Sequence, residues 1–342
     1  MNLFKAESGD LAWRQAADTL VHRRGTHMVD SRAGATVELL HAAIAIADPR
    51  ARWVASRLPA MNIALAVAEV LQILAGGDDV SFLAHWFPNY PSFVGSRDRA
   101  HGAYGARLRV RWGFDQLARA ANALTACGDT RQVVLSIWDP REDLPSDKGA
   151  PGSGDVPCNV LSCLRLVQGR LHWLQSSRSN DLFRGLPNNL VQFTCLQEVI
   201  AGWIGADVGS YSHTISSLHA YVSSLDEFSI DSDVPAMLRS GDIRLPRPDA
   251  ETAWGGLYRM AQELVARPTG SSPNLPLPAA ATALGPLQSM YWILVAEDAR
   301  RRGWPAESLE AAARCSDGAL SAMWLRWVRR LEQRNHRPEP MP

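Results

Sequence analysis

Apolar positions recur at helical spacing along several stretches of this chain. Residues 10–22 place Leu11, Ala12, Ala16 and Leu20 along one face, and Arg23-Arg24-Gly25-Thr26 ends that helix. Residues 61–75 read as an apolar helix wrapped around one acid, Glu69. Residues 114–127 carry Phe114, Leu117, Ala118, Ala121 and Leu124 at the same spacing, and residues 189–204 carry Leu190, Phe193, Leu196, Val199 and Ile200. Strands are predicted over residues 36–40, 133–138 and 209–218. Residues 159–167 and 170–176 alternate and are split by Gln168-Gly169, a hairpin signal. Residues 86–105 read as a loop. Residues 139–157 form a Gly/Pro/Ser-rich excursion without the GxxxxGK pattern of a phosphate cradle. Helices follow over about 250–266, 285–302, 305–314 and 316–334, the last with Leu320, Met323, Trp324, Trp327 and Leu331 on one face. The pattern predicts an α+β core with a mixed or mostly antiparallel sheet, then a helical C-terminal part.

Composition narrows the class. A chain of 342 residues with 46% hydrophobic content can build one large core, or a core plus an appendage. The formal net charge is zero, so no bulk field draws in nucleic acid or an anionic membrane, and any phosphate must be held by local arginines. The five cysteines, Cys127, Cys158, Cys163, Cys195 and Cys315, are odd in number and form no CxxC pair. That usage argues for a reducing compartment and against disulfides or structural zinc. The first residues have no apolar signal core, and no apolar run is long enough to span a bilayer. A cytoplasmic protein without membrane or nucleic-acid partners is expected.

Two residues invite chemistry. Glu69 is costly to bury in an apolar helix unless it is paired or used, and burial would raise its pKa into a range suited to acid–base work. Cys158, taken alone, reads as a small buried apolar residue. Its neighbours change that reading. Pro157-Cys158 is followed at twenty positions (178 − 158) by Arg178-Ser179-Asn180-Asp181, then by Gly185-Leu186-Pro187-Asn188-Asn189 and by His219-Ala220-Tyr221.

These four elements, in this order, resemble the thymidylate synthases and the pyrimidine-nucleotide hydroxymethylases. The likeness covers roughly residues 10–230 and is greatest to the CMP 5-hydroxymethylases of mildiomycin-type nucleoside antibiotic pathways. It implies a three-layer fold with a mixed, largely antiparallel sheet that packs back to back in a homodimer. A catalytic domain would span 1–230, with a helical extension over 231–342 on the same core. The substrate would be a pyrimidine nucleoside monophosphate, and 5,10-methylenetetrahydrofolate the co-substrate. Cys158 would be the thiolate nucleophile, because sulfur is strongly nucleophilic and leaves well, with Arg178 supplying positive charge to help it ionise. Glu69 would relay protons through water, Tyr104 of Tyr104-Gly105 would lie near the reacting carbon, and Asn189 would read the base edge with its donor and acceptor. Arg32, Arg131, Arg178 and Ser179 would bind phosphate, Arg131 from the partner subunit. His219 and Tyr221 would bind the sugar and Asp181 the folate, though an aspartate there also suits a helix or turn cap.

The departures from the family pattern bear on the product. Gln132 stands where a second interface arginine is usual, and Asn159 where a histidine follows the nucleophile. Tyr90 and Phe93 occupy positions usually tryptophan in methylating members, and residues 334–342 do not match the closing apolar tail of those members. Gln132 leaves the phosphate site one charge weaker unless another arginine compensates; each of the other changes is expected to admit water, which favours a hydroxymethyl product over a methyl one. The expected order of substrates is CMP, then dCMP or dUMP.

Overall fold

The structure is a computed structural model that describes residues 1–31, 34–149, 153–235, 237–276 and 278–335. Its strands are β1 (Asn2–Ala6), β2 (His27–Ser31), β3 (Gly34–Ile46), β4 (Arg57–Leu58), β5 (Val134–Ser136), β6 (Asn159–Val167), β7 (Arg170–Ser177), β8 (Asn180–Asp181), β9 (Asp207–Tyr221) and β10 (Ser229–Ile230). The helices of the first two thirds are α1 (Gly9–Val21), α2 (Ile63–Ala75), α3 (Val80–Trp86), α4 (Tyr90–Val94), α5 (Tyr104–Arg109), α6 (Gln116–Ala126), α7 (Pro140–Asp143), α8 (Gly185–Trp203) and α9 (Val222–Leu225). The last third holds α10 (Arg247–Ala266), α11 (Pro278–Thr282), α12 (Gln288–Arg301), α13 (Pro305–Ala313) and α14 (Gly318–Asn335).

One mixed sheet runs in the order β1-β3-β9-β7-β6-β5. Antiparallel pairs join β3 to β9, β7 to β6 and β6 to β5, whereas β1 with β3 and β7 with β9 are parallel. The parallel pairs make the sheet more mixed than the alternation implied. Strand β1 and most of β3 lie outside the predicted segments, because Leu40 to Ile46 is nearly continuous apolar sequence with little alternation to read. The β6–β7 hairpin turns where predicted: Gln168 and Gly169 both take positive φ (51° and 72°), the geometry of a two-residue type I′ turn. The predicted loop over 86–105 instead contains α4 and the first turn of α5.

Helix α2 starts where Asn62 Oδ1 accepts the Leu65 N–H at 3.1 Å, and stops at Gly76, whose φ of 72° suits glycine. It is buried almost all round and packs against α8, α10 and α12. Two long-range ties fix these layers. Trp13 Nε1 donates to the Leu182 carbonyl at 2.7 Å, and the buried Arg52 guanidinium pairs with the buried Glu198 carboxylate of α8. Trp254, Tyr291, Trp292, Met323 and Trp324 of the C-terminal helices belong to the same contiguous core as α2 and α8. No helix among the described residues is long and apolar enough to cross a membrane.

Candidate active site

The twenty-residue spacing of Cys158 and Arg178 is the length of a hairpin. β6 starts one residue after Cys158 and β7 ends one residue before Arg178. The two therefore face each other across the open end: Arg178 N donates to the Cys158 carbonyl at 2.9 Å. A register shift between Asn159 and Leu161 bends the strand there. The Arg178 side chain folds back over the same segment. Nε donates to the Pro157 carbonyl at 3.0 Å, Nη2 to the Val156 carbonyl at 2.9 Å, and Nη2 lies 3.9 Å from Cys158 Sγ.

Cys158 is half-buried. Burial raises its thiol pKa most strongly. Arg178 opposes that shift, while Asp155 and Asp181 add to it. The arginine expected to ionise the thiol pulls in the expected direction, but burial and two carboxylates outweigh it. Asp155 was not singled out from the sequence. It is held where Gly102 N donates to its Oδ2 at 2.8 Å, and a Cβ on Gly102 would stand 2.9 Å from its Oδ1.

Asn159 is wholly buried and has both ends of its amide engaged: Nδ2 donates to the Tyr104 hydroxyl at 2.9 Å, and Oδ1 accepts from Gln175 Nε2 at 3.0 Å. Burial pushes the Tyr104 phenol well up, and Cys158 and Glu69 both add to the shift. The charges of Cys158 and Glu69 thus both act on Tyr104.

Glu69 has one oxygen, Oε2, sealed from solvent with no hydrogen-bond partner. Burial raises its pKa from 4.5 to about 7, and the nearby Gln192 amide partly opposes this. Gln192 leads on to Asn189. Asn189 Nδ2 donates to Gln192 Oε1 at 2.9 Å, and Asn189 Oδ1 accepts from Asn180 Nδ2 at 3.0 Å. Gly185 makes room for this run, since a Cβ there would stand 2.7 Å from Asn180 Oδ1. Gln192 and Asn180 escape a reading by motif. A signal was present in α8, where Gln192 follows Asn189 by three positions on one helix face of a largely apolar helix.

The remaining site residues divide. Ser179 Oγ lies 3.5 Å from His219 Nδ1, and the His219 and Tyr221 rings meet edge to face at 5.7 Å. Asp181 Oδ1 accepts from Phe183 N at 2.8 Å and Arg184 N at 3.0 Å, which makes it the cap of a turn just ahead of α8. Arg131 is apart from this group, exposed on the loop into the edge strand β5. Arg32 lies outside the described residues. Tyr90 lies close enough to Glu69 for that carboxylate to raise its phenol pKa, whereas Phe93 is 76% exposed.

A third cluster adjoins Asp181. Arg57 is 7% exposed, and its Nε is buried without a hydrogen-bond partner. Its pKa falls to about 9, chiefly through burial and then through Arg330 and Arg184, with Asp181 opposing. Three guanidinium groups beside one carboxylate suit a multiply anionic ligand.

A profile described as thymidylate synthase matches residues 19–248. The chain is 34% identical over 175 residues to a deoxyuridylate hydroxymethyltransferase of Pseudomonas phage M6, covering 51% of this chain and 48% of that protein. It is 37% identical over 168 residues to a deoxyuridylate hydroxymethyltransferase of Bacillus phage SP01, covering 46% and 43%. It is 34% identical over 119 residues to a putative thymidylate synthase of Methanothermobacter thermautotrophicus, covering 35% and 50%. The chain spans about half the length of the curated relatives it matches.

Proposed function

The chain belongs to the thymidylate synthase family, and on that premise we propose that it converts a pyrimidine nucleoside monophosphate to its 5-hydroxymethyl derivative. The observation that carries this reading is the grouping of two hydrogen-bonded sets, Arg178 with Cys158 and Asn159 with Tyr104 on one side and Asn189 with Gln192 on the other, around the buried Glu69, whose charge acts on Tyr104 and is favoured by Gln192. It provides a nucleophile, a guanidinium, a carboxylate with a pKa near neutrality and a base-reading amide within one group of residues.

Arg178 and Ser179 take the phosphate, with Arg32 and, from a second subunit, Arg131. His219 and Tyr221 take the sugar hydroxyls. Asn189 binds the base edge and brings C6 to the sulfur. An incoming dianion and its desolvation strengthen Arg178's hold on this corner. Cys158 Sγ adds to C6, and the ring electrons move to C5, which becomes nucleophilic. Methylenetetrahydrofolate, when bound, supplies a one-carbon unit at the formaldehyde oxidation level. The orphaned Arg57 Nε, with Arg184 and Arg330, fits the carboxylates of such a molecule, and Asp181 stands beside it. Glu69 accepts the C5 proton as the bond from the one-carbon unit to tetrahydrofolate breaks, which leaves an exocyclic methylene on C5. The hydroxyls of Tyr90 and Tyr104 keep the surroundings of Glu69 polar enough for water to reach the exocyclic methylene, after which Cys158 departs with the ring restored.

A homodimer accompanies this reading. Val134, Leu161, Cys163, Leu174 and Ser212 share one face of the sheet by register, and Val134 and Leu174 are 49% and 38% exposed. A monomer in light scattering at working concentration would remove the dimer and the role given to Arg131.

The names of the phage relatives bring dUMP forward beside the CMP that the sequence suggested. Incubation with CMP, dCMP, UMP or dUMP and methylenetetrahydrofolate is expected to add one CH2O to at least one nucleotide, with release of tetrahydrofolate. A methyl product with dihydrofolate, seen by absorbance, would make the chain a thymidylate synthase instead. No mass gain on any of the four would overturn the reading.

A further inference from the structure

The amides of Asn180, Asn189 and Gln192 all point the same way. Two hydrogen bonds run in one direction, Asn180 Nδ2 to Asn189 Oδ1 at 3.0 Å and Asn189 Nδ2 to Gln192 Oε1 at 2.9 Å, and Gln192 lies near enough to the Glu69 carboxylate to favour its charged form. All three amides are buried, with exposures of 2%, 6% and 3%. In such surroundings a misdirected amide leaves a donor facing a donor, so one polarity is strongly preferred over the other.

Each group in the run constrains the next. A carboxylate only accepts hydrogen bonds. An ionised Glu69 therefore requires the NH2 of Gln192, and Gln192 must then turn its oxygen to Asn189. Asn189 must turn its NH2 to Gln192 and its oxygen to Asn180. One lone pair on Asn189 Oδ1 and one proton on Nδ2 remain for a ligand. A uracil edge offers an acceptor at O4 and a donor at N3; a cytosine edge offers a donor at N4 and an acceptor at N3. Turning Asn189 over exchanges the two. In this protein that turn would require Asn180 and Gln192 to turn as well, and Glu69 to carry a proton that it donates to Gln192. The ionisable groups that the Glu69 charge reaches from neighbouring helices are the phenols of Tyr90 on α4 and Tyr104 on α5, both pushed well up by burial and so neutral.

We propose that Gln192 is a positioning residue that sets the direction of the Asn189 amide, and with it the choice between uracil and cytosine nucleotides, by tying that amide to the charge state of Glu69. The inference rests on the reading of Asn189 as the group that meets the base. It adds a residue and a rule: base preference is set behind Asn189 by the polarity of a relay three amides long.

The test is calorimetric titration of the full chain with dUMP, dCMP, UMP and CMP, taking the ratio of uracil to cytosine affinity at fixed sugar. Wild type is expected to depart from a ratio of one by about tenfold or more. Gln192→Met keeps the volume but removes the amide, and is expected to move the ratio towards one. Gln192→Glu still accepts from Asn189 Nδ2, so the ratio is expected to survive. The second carboxylate beside Glu69 should, however, move the pH profile of C5 proton release upwards. Asn180→Asp can only accept from Asn189, and is expected to invert the ratio. Thermal melts of each variant separate misfolding from redirected binding, and the Asn180 variant tests the idea should the Gln192 variants fail to fold. A wild-type ratio near one, or a ratio unmoved by Gln192→Met and Asn180→Asp in folded protein, would overturn the inference while leaving the proposed function standing. If none of the four nucleotides binds wild type, the proposed function fails first and the inference with it.

Discussion

Asn159 Nδ2 donates to the Tyr104 hydroxyl across 2.9 Å, so the residue that follows Cys158 in the chain fixes the phenol that responds to both Cys158 and Glu69. Gln175 holds the other end of the same amide, and Ser162 and Trp173 donate to the Gln175 oxygen at 2.6 and 3.3 Å. The neighbour of Cys158 is therefore anchored from the floor of the sheet. Asn159→Ala would leave the buried Tyr104 phenol without its amide partner and the Gln175 NH2 with only its long bond to the Ser176 carbonyl at 3.4 Å. A stability loss of about 1–3 kcal/mol is expected, with C5 proton release slowed by tenfold or more. Thermal melts and release of tritium from C5-labelled nucleotide check both, and unchanged turnover would contradict the arrangement.

Glu69 gives opposite expectations for stability and for turnover. Below pH 4.5 its carboxyl is protonated in the folded and the unfolded chain. Between 4.5 and about 7 the unfolded chain ionises while the folded one keeps its proton, so stability falls as pH rises. Above about 7 that loss is complete. Glu69→Gln is then expected to be more stable than wild type at pH 8, by about 1–3 kcal/mol. Its turnover is expected to be about 10²–10⁴-fold lower. In wild type, proton release should climb through pH 7 as the carboxylate forms. Denaturant titrations at pH 5 and 8 and a pH–rate profile measure these effects; a flat profile, or a variant less stable at pH 8, would count against the role of Glu69.

Arg178 serves two ends, because the guanidinium proposed to bind phosphate also braces the Val156 and Pro157 carbonyls. Arg178→Ala is expected to weaken nucleotide binding about 10–100-fold. Arg178→Lys should recover little, since one ammonium lacks the planar fork that spans both carbonyls. Calorimetry with the preferred nucleotide decides, and full recovery by lysine would show that charge alone matters.

Tyr90 and Phe93 separate cleanly. The Glu69 charge acts on the Tyr90 phenol, whereas Phe93 is 76% exposed. Tyr90→Trp, which removes a hydroxyl and fills the space around the carboxylate, is expected to lower the hydroxymethyl product severalfold. Phe93→Trp is expected to leave it unchanged. Chromatography of the products tests this pair, and equal effects from both substitutions would remove Tyr90 from control of water.

Much of the fold was legible because helical and alternating periods are strong along α1, α2, α6, α8 and the β6–β7 hairpin. Gln168-Gly169 signalled its turn through the backbone conformation that a tight hairpin demands. Strand β1 and the second half of β3 were not legible, since Leu40 to Ile46 lacks the alternation that marks a half-buried strand. In the site, Cys158 and Arg178 were paired by the resemblance to a family pattern, and the hairpin supplies its physical reason by turning twenty residues of sequence into direct opposition. Asn180, Gln192, Gln175 and Asp155 could not be found that way. Their partners come from other elements, or in the case of Gln192 also from α2, and no local pattern records a contact made through folding. The net rise in the Cys158 pKa was likewise hidden, because the sequence displays Arg178 but not the burial that outweighs it.

The central claim is that Cys158 forms a bond to C6 of a pyrimidine nucleotide. A 5-fluoropyrimidine monophosphate cannot lose fluorine as a cation, so its adduct should stall with methylenetetrahydrofolate present. Intact-protein mass spectrometry and peptide mapping with the 5-fluoro derivatives of dUMP and CMP measure this directly. The expected result is a covalent adduct on Cys158 with at least one of the two, absent from Cys158→Ala. Protein that stays unmodified with both, or an adduct on any of the other four of its five cysteines, would contradict the claim.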